Sequence, residues 1–164
     1  MPIEQTLVLI KPDGWKRGLT GLVIDRLDAA GLELVAAKMV RVTEKLAREH
    51  YRLLADKPFF PNLIRYIRGE FHGLKQNQVL ALVYQGEDAI ARVRQVAGAT
   101  NPEQAEPHSI RGSFGRVTTQ GQFENVLHAS GNRVEAEFEV TLWFKPEEIL
   151  TPLYAGAAAN GGKK

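Results

Sequence analysis

The six residues Asn125-Val126-Leu127-His128-Ala129-Ser130 bring an amide, an imidazole and a hydroxyl together beside Gly131. A neutral imidazole, with an ordinary pKa of about 6.5, keeps a free lone pair near pH 7 that can attack phosphorus or move a proton. A nucleophile of that kind needs an orienting partner on its other ring nitrogen and cations around its electrophile. Glu139, downstream on a segment that reads as a strand, is the candidate partner; Lys11, Arg94 and Arg111 are the candidate cations at loop or strand ends.

The elements that must position these groups come from a chain of 164 residues with 44% hydrophobic content. That is one domain, residues 1–154, large enough to bury a core without staples, followed by a small-residue, glycine-rich tail over 155–164 that reads as flexible. There are no cysteines, so disulfides and thiolate metal sites play no part. The formal net charge is +2, and Lys163 and Lys164 at the end supply that excess. The near-neutral body argues against a dedicated nucleic-acid surface, which needs a basic stripe. With neither a secretory start nor an apolar run near the roughly 20 residues of a membrane span, the chain reads as soluble and cytoplasmic.

Thr6-Leu7-Val8-Leu9-Ile10 is a short apolar run suited to a strand buried on both faces, and Lys11-Pro12-Asp13-Gly14 ends it with turn chemistry. A lysine there has its stem held while its ammonium faces a cleft. The spacing predicts a helix over 20–30, a strand over 32–42, a helix capped by Thr43 and running to Leu54, and a second helix over 58–67. These two helices form a hairpin with Tyr51 and Phe59 near its mouth. A third strand follows over 78–84 and a helix over 87–96. Residues 98–123 show no long period, which in a compact domain reads as a binding loop. A short helical turn over 134–136 and a fourth strand over 138–144 complete the pattern. The order implies an α+β, ferredoxin-like βαββαβ sandwich with a four-stranded antiparallel sheet and helices on one face.

No G-x-x-x-x-G-K-[ST] loop and no G-x-G-x-x-G follows a strand, so any nucleotide phosphates would be gripped by side chains, for which arginine's fork is suited. Six pieces then occur in a telling order: Ile10-Lys11-Pro12-Asp13-Gly14, Glu49-His50-Tyr51, Pro58-Phe59-Phe60, Gly98-Ala99-Thr100-Asn101-Pro102, Ile110-Arg111-Gly112 and Asn125 to Ser130. In order and spacing the chain from Thr6 to Leu150 resembles the nucleoside diphosphate kinases.

The resemblance implies a ping-pong transfer of the γ-phosphate from a nucleoside triphosphate to His128, and from the phosphohistidine to a nucleoside diphosphate, with broad tolerance of the base. It implies Glu139 as the residue that fixes the His128 tautomer, with Ser130 and Tyr51 beside the transferred phosphoryl. Arg94, Thr100 and Arg111 would bind phosphates, Lys11 and Asn125 the ribose hydroxyls and nearby phosphate oxygens. Phe59 would stack on the base and Leu63 would pad it. Mg2+ would arrive on the nucleotide phosphates, with no protein metal site. A homo-oligomer, a hexamer in preference to a tetramer, is also implied. His50, His72 and His108 read as structural or surface residues, with His50 close enough to Tyr51 to approach the phosphates.

The chain departs from the family pattern at three places. Gly131 stands where an aspartate usually follows the serine, leaving Asn132 as the helix cap. Residues 69–78 and 117–124 are longer than usual, and Val117 is the nearest candidate for the second face of the base. Two other readings use the same groups: a nucleotide-binding or interaction module with little turnover, and a phosphatase that hydrolyses its own phosphohistidine.

Overall fold

Four strands that alternate their side chains between two cores build the frame that holds the site. The computed structural model describes residues 1–155; the tail expected over 155–164 lies, Ala155 apart, outside the described residues. The elements run β1 (Ile3–Ile10), α1 (Pro12–Lys16), α2 (Thr20–Asp28), β2 (Glu33–Arg41), α3 (Glu44–His50), α4 (Phe60–Ile67), β3 (Gln78–Glu87), α5 (Ala89–Ala97), α6 (Ile110–Phe114), β4 (Arg116–Val117), β5 (Phe123–Glu124), β6 (Leu127–Ala129) and α7 (Arg133–Trp143).

The main sheet has the order β2-β3-β1-β6, antiparallel throughout, and β4 and β5 form a separate two-stranded ribbon. This is the expected ferredoxin-like arrangement. The helices, however, cover both faces of the sheet rather than one. Successive strand residues point to opposite faces, so Leu7 and Leu9 of β1 join the core under α3, α4 and α7, while Val8 and Ile10 join the core under α2 and α5. A run such as Leu7-Val8-Leu9-Ile10, fully buried at every position, is what a strand covered on both sides requires. Among the described residues no helix is long and apolar enough to cross a membrane.

Three expected elements are corrected. The fourth strand is β6, which carries His128 itself. Residues 133–143, expected as a helical turn and then a strand, form the single helix α7. The alternation of Glu135, Glu137 and Glu139 with Ala136, Phe138 and Val140 imitates a strand, but the local chemistry at the start decides for a helix. The Asn132 side chain accepts from the Glu135 amide at 3.0 Å, and Glu135 returns by accepting from the Asn132 side chain at 2.9 Å and the Gly131 amide at 3.1 Å. This reciprocal cap satisfies amides that the first helical turn leaves open. The helix then buries Ala136, Glu139, Val140 and Trp143, a spacing of three and four. Lys11-Pro12-Asp13-Gly14, expected as a turn, opens α1 with proline in its first turn.

Candidate active site

Register places the nucleophile. His128 stands opposite Leu9 in the β1–β6 ladder, and directly paired residues share a sheet face. His128 therefore projects to the side covered by α7, where Glu139 is buried. Nε2 of His128 lies 2.9 Å from Oε2 of Glu139, and the same oxygen accepts the Ser130 hydroxyl at 2.6 Å. Burial opposes the charge of Glu139, but His128, His50 and the Ser130 hydroxyl together draw its pKa down to about 2. An ionised carboxylate only accepts, so the hydrogen of neutral His128 resides on Nε2 and Nδ1 keeps its lone pair.

His50 packs edge-on against His128 with ring centroids 4.5 Å apart, and against Trp143 at 5.5 Å. Its Nδ1 accepts the Trp143 indole N–H at 3.1 Å. Burial, followed by the neighbouring His128, lowers its pKa to about 3; His50 is neutral, and its Nε2–H has no protein acceptor among the described residues. The sequence alone reads this histidine as a surface or structural residue. The one pointer to its place was its position beside Tyr51.

A cavity of about 680 Å³ opens over His128. Of the residues expected at the site it is lined by Lys11, Tyr51, Phe59, Leu63, Arg94, Thr100, Arg111, Asn125, His128 and Glu139. Ser130 differs: it is fully buried behind the cavity wall, its hydroxyl donating to Glu139 and accepting from the Leu7 amide at 3.1 Å. The structure thus gives Ser130 a place behind Glu139, not beside a phosphoryl group in the cavity.

The cationic side is rigid. Lys11 Nζ donates to Asn125 Oδ1 at 2.8 Å, and the Asn125 amide donates to the Thr100 carbonyl at 2.8 Å. One polar side chain thereby ties the end of β1 to the loop after α5. Burial lowers the Lys11 pKa to about 8, with Asp13 opposing the shift and Arg111 adding to it. Arg111 is buried and donates to three carbonyls, those of Gly98 (2.9 Å), Leu127 (2.8 Å) and Asn125 (3.3 Å). Carbonyls fix a guanidinium without neutralising it, which leaves two N–H donors and a whole charge for an anion. Burial, then the nearby Arg94, lowers its pKa to about 10. Burial and the Glu139 charge raise that of Tyr51, which therefore stays a phenol.

Between Asn125 and His128 the backbone is strained. Val126 has φ +72°, a conformation that a β-branched residue adopts only under constraint. Its amide donates to Asp13 Oδ2 at 2.9 Å, and its carbonyl accepts from the Lys11 amide at 2.9 Å. Asp13 also accepts the Tyr66 hydroxyl. A side chain at Gly14 would meet the Val126 carbonyl at 2.8 Å, so α1 needs glycine there to press on the strained turn.

The apolar end of the cavity is formed by Phe59 and Leu63 at the start of α4. Phe59 remains 51% exposed while the adjacent Phe60 is in the core, which removes the plain core reading for Phe59. The β4–β5 ribbon and its turn also contribute: Gln120, Gln122 and Phe123 line the cavity. Val117, expected near the second face of a base, pairs with Phe123 across the ribbon and is not part of the lining.

Among the described residues no carboxylate set at the site suits Mg2+. Glu139 is held by His128 and Ser130, Glu135 by the α7 cap, and the group His50, His128 and Glu139, whose ligand atoms lie within 4.8 Å of one another, offers mostly nitrogen where a hard cation needs oxygen.

Comparison with known proteins points to one family. The family model described as nucleoside diphosphate kinase matches residues 4–149. A nucleoside diphosphate kinase of Symbiobacterium thermophilum is 46% identical over 142 residues, 87% of each chain. One from Thermococcus kodakarensis is 44% identical over 90% of this chain and 80% of its own. Among solved structures, the Borrelia burgdorferi nucleoside-diphosphate kinase described as a transition state mimic with bound vanadate and ADP has a TM-score of 0.80 at 36% identity, covering 92% of both chains. The Halobacterium salinarum enzyme in complex with CDP has a TM-score of 0.79 at 38% identity, covering 96% of this chain and 97% of its own.

Proposed function

The chain belongs to the nucleoside diphosphate kinase family, and on that footing we propose that it moves the γ-phosphate of a nucleoside triphosphate to a nucleoside diphosphate through a phosphohistidine on His128. The observation that carries this reading is the fixed His128–Glu139 pair, 2.9 Å apart, with Nδ1 left free in a cavity ringed by Lys11, Arg94 and Arg111.

In the first half-reaction the Nδ1 lone pair forms an N–P bond as the bond from the γ-phosphorus to its bridging oxygen breaks, and the nucleoside diphosphate leaves with that electron pair. The imidazole becomes cationic, and Glu139, already ionised and 2.9 Å from Nε2, offsets that charge without rearrangement. In the second half-reaction the terminal oxygen of a new nucleoside diphosphate attacks phosphorus and the lone pair returns to Nδ1. Lys11, Arg94 and Arg111 hold the phosphates in line, with Thr100 beside them and Tyr51 donating its hydroxyl. Phosphoryl transfer asks chiefly for such positioning and charge stabilisation. Asn125 and Lys11 meet the sugar end. Phe59 stacks on the base, with Leu63 beneath it.

Mg2+ would enter as part of the nucleotide substrate, since at the site Glu139 and Glu135 are already taken by His128, Ser130 and the α7 cap. The assembly is a homo-oligomer, a hexamer in preference to a tetramer. β2, one of the two edge strands of the main sheet with Met39 48% exposed on it, supports association of copies. The near-neutral body supports free nucleotides rather than a nucleic acid as the substrate.

The test follows γ-labelled ATP-Mg onto the protein and on to GDP. Wild type forms an acid-labile phosphoenzyme that GDP discharges, and His128→Ala forms none. Labelling without discharge supports the binding-module reading; release of inorganic phosphate without acceptor supports the phosphatase.

A further inference from the structure

We propose that His72 is a positioning residue for nucleotide binding: from outside the cavity it clamps the Asn125-Val126 turn on two sides, and through that turn it sets how tightly the nucleotide is held. The proposal rests on the kinase reading above and adds a residue that touches none of the reacting groups.

The His72 side chain is only 11% exposed and has two contacts that matter. Its Nε2 lies 2.8 Å from Oε1 of Glu124, whose side chain is 8% exposed and takes Arg116 Nε on its other oxygen. Its ring packs edge-on against Tyr66, with centroids 5.3 Å apart at 89°. Nδ1 has no partner among the described residues, so Glu124 is the polar anchor of the ring. The backbone holds the ring in place. The His72 amide donates to the Gly69 carbonyl at 3.1 Å, and its carbonyl accepts at 2.8 Å from Nζ of Lys16, the last residue of α1. Gly69, at φ +73°, folds the loop so closely that a Cβ there would meet Leu74 Cβ at 2.7 Å.

Both contacts lead to the same turn. Glu124 immediately precedes Asn125. Tyr66 donates its hydroxyl to Asp13, and Asp13 Oδ2 accepts the Val126 amide at 2.9 Å. Between these two supports the Asn125 side chain meets Lys11 Nζ and the Thr100 carbonyl, each at 2.8 Å. The support through Glu124 is the one that needs the imidazole. A two-stranded ribbon is marginally stable by itself in water, and among the described residues His72 is the one side chain outside 116–124 that hydrogen-bonds to this ribbon. Without it the ribbon shifts and carries Asn125 off its partners. The support through Tyr66 and Asp13 persists without the ring, and Glu139 holds His128 by itself. Loss of His72 therefore falls on nucleotide binding and spares the chemistry at His128.

The experiment compares wild type, His72→Ala, His72→Gln, Glu124→Ala and the double variant His72→Ala/Glu124→Ala with GDP and CDP as acceptors. In His72→Ala, KM rises roughly tenfold and by the same factor for both acceptors, the scale on which a fraction of an ångström of misplacement costs binding, while kcat holds. His72→Gln, whose amide can still donate to Glu124, recovers most of the KM. The double variant has the KM of the worse single variant, because both changes break one contact. Should His72→Ala fail to fold, Glu124→Ala and His72→Gln carry the comparison. A lower thermal midpoint with unchanged KM makes His72 merely structural and overturns the clamp, as do KM effects that multiply in the double variant or a kcat that falls as far as KM rises. Phosphoenzyme formation is measured on the same preparations. Normal labelling with an unchanged KM sinks the clamp and leaves the kinase reading standing. Absent labelling in wild type sinks the kinase reading, and the dissociation constant of ADP, taken by calorimetry without turnover, then tests the clamp alone.

Discussion

Oε2 of Glu139 sits 2.9 Å from Nε2 of His128 although the two residues lie on different kinds of element, one on a helix and the other on a central-sheet strand. The pair fixes both the tautomer and the ring plane, and its removal should be read in rate before stability. Glu139→Gln allows the amide N–H to donate to Nε2 and move the hydrogen to Nδ1, blocking the lone pair. Hydrogen bonds to charged groups are worth about 1.5–3 kcal/mol, so phosphoenzyme formation slows by roughly 10- to 100-fold or more. Single-turnover labelling checks this; an unchanged rate removes Glu139 from the mechanism.

The two buried groups against His128 separate in pH. His50 has a folded pKa of about 3 against 6.5 unfolded, so the unfolded chain binds the extra proton and stability falls as pH drops from 6.5 towards 3. By pH 5 the loss is about 2 kcal/mol. Glu139, with its folded pKa lowered to about 2, contributes stability above the ordinary carboxylate range, lost only as pH falls from about 4.5 to 2. Urea midpoints across pH should show the first decline flattened in His50→Gln, and a second, lower one that His50→Gln leaves in place.

Much of this arrangement was legible in the sequence because its causes are local or periodic. The apolar run of β1, the Thr43 cap and the helix stops belong to that class, and so do the motifs around Lys11, Arg111 and His128. What was hidden depends on partners far along the chain. Glu139 alternates with apolar neighbours as a strand residue would, and the deciding cap at Asn132 lies seven residues earlier. Beyond its position beside Tyr51, His50 gave no sign of its place, because Trp143 and His128 reach it only through the fold. Helices on both sheet faces were written in the unbroken apolar run Leu7 to Ile10, and the strand order alone did not reveal them.

Lys11 carries an alkaline limb. Its pKa, lowered by burial to about 8, means that in free enzyme the ammonium is lost as pH rises through 8, and nucleotide affinity falls with it. KM for nucleotide should climb above pH 8 in wild type. Lys11→Gln should start from a KM raised roughly tenfold, a typical loss for one charge-assisted contact, and show no such limb. A limb that persists in the variant assigns it to another group.

Asn132 sets the register of α7 and so of Glu139. Asn132→Ala removes the acceptor for the Glu135 amide and should cost about 1 kcal/mol, seen in thermal midpoint. Restoring an aspartate at Gly131 brings no gain of the same kind, because a Cβ there meets Glu135 Oε2 at 2.5 Å and dislodges the other half of the cap. A Gly131→Asp variant as stable as wild type would show that the cap can be rebuilt around it.

Asp13 and Val126 lie 113 residues apart, and their 2.9 Å bond holds the strained turn next to the nucleophile. In Asp13→Ala the Val126 amide and the Tyr66 hydroxyl both lose a buried acceptor, at about 1–3 kcal/mol each, and Val126 is released from φ +72°. Relaxation of that residue moves Asn125 on one side and Leu127 and His128 on the other, so stability and kcat should fall together. Tyr66→Phe supplies the contrast: it removes one donor to Asp13 and leaves the Val126 bond, so it should cost stability with little loss of kcat. If Tyr66→Phe slows turnover as much as Asp13→Ala, the hydroxyl rather than the strained turn governs the geometry at His128.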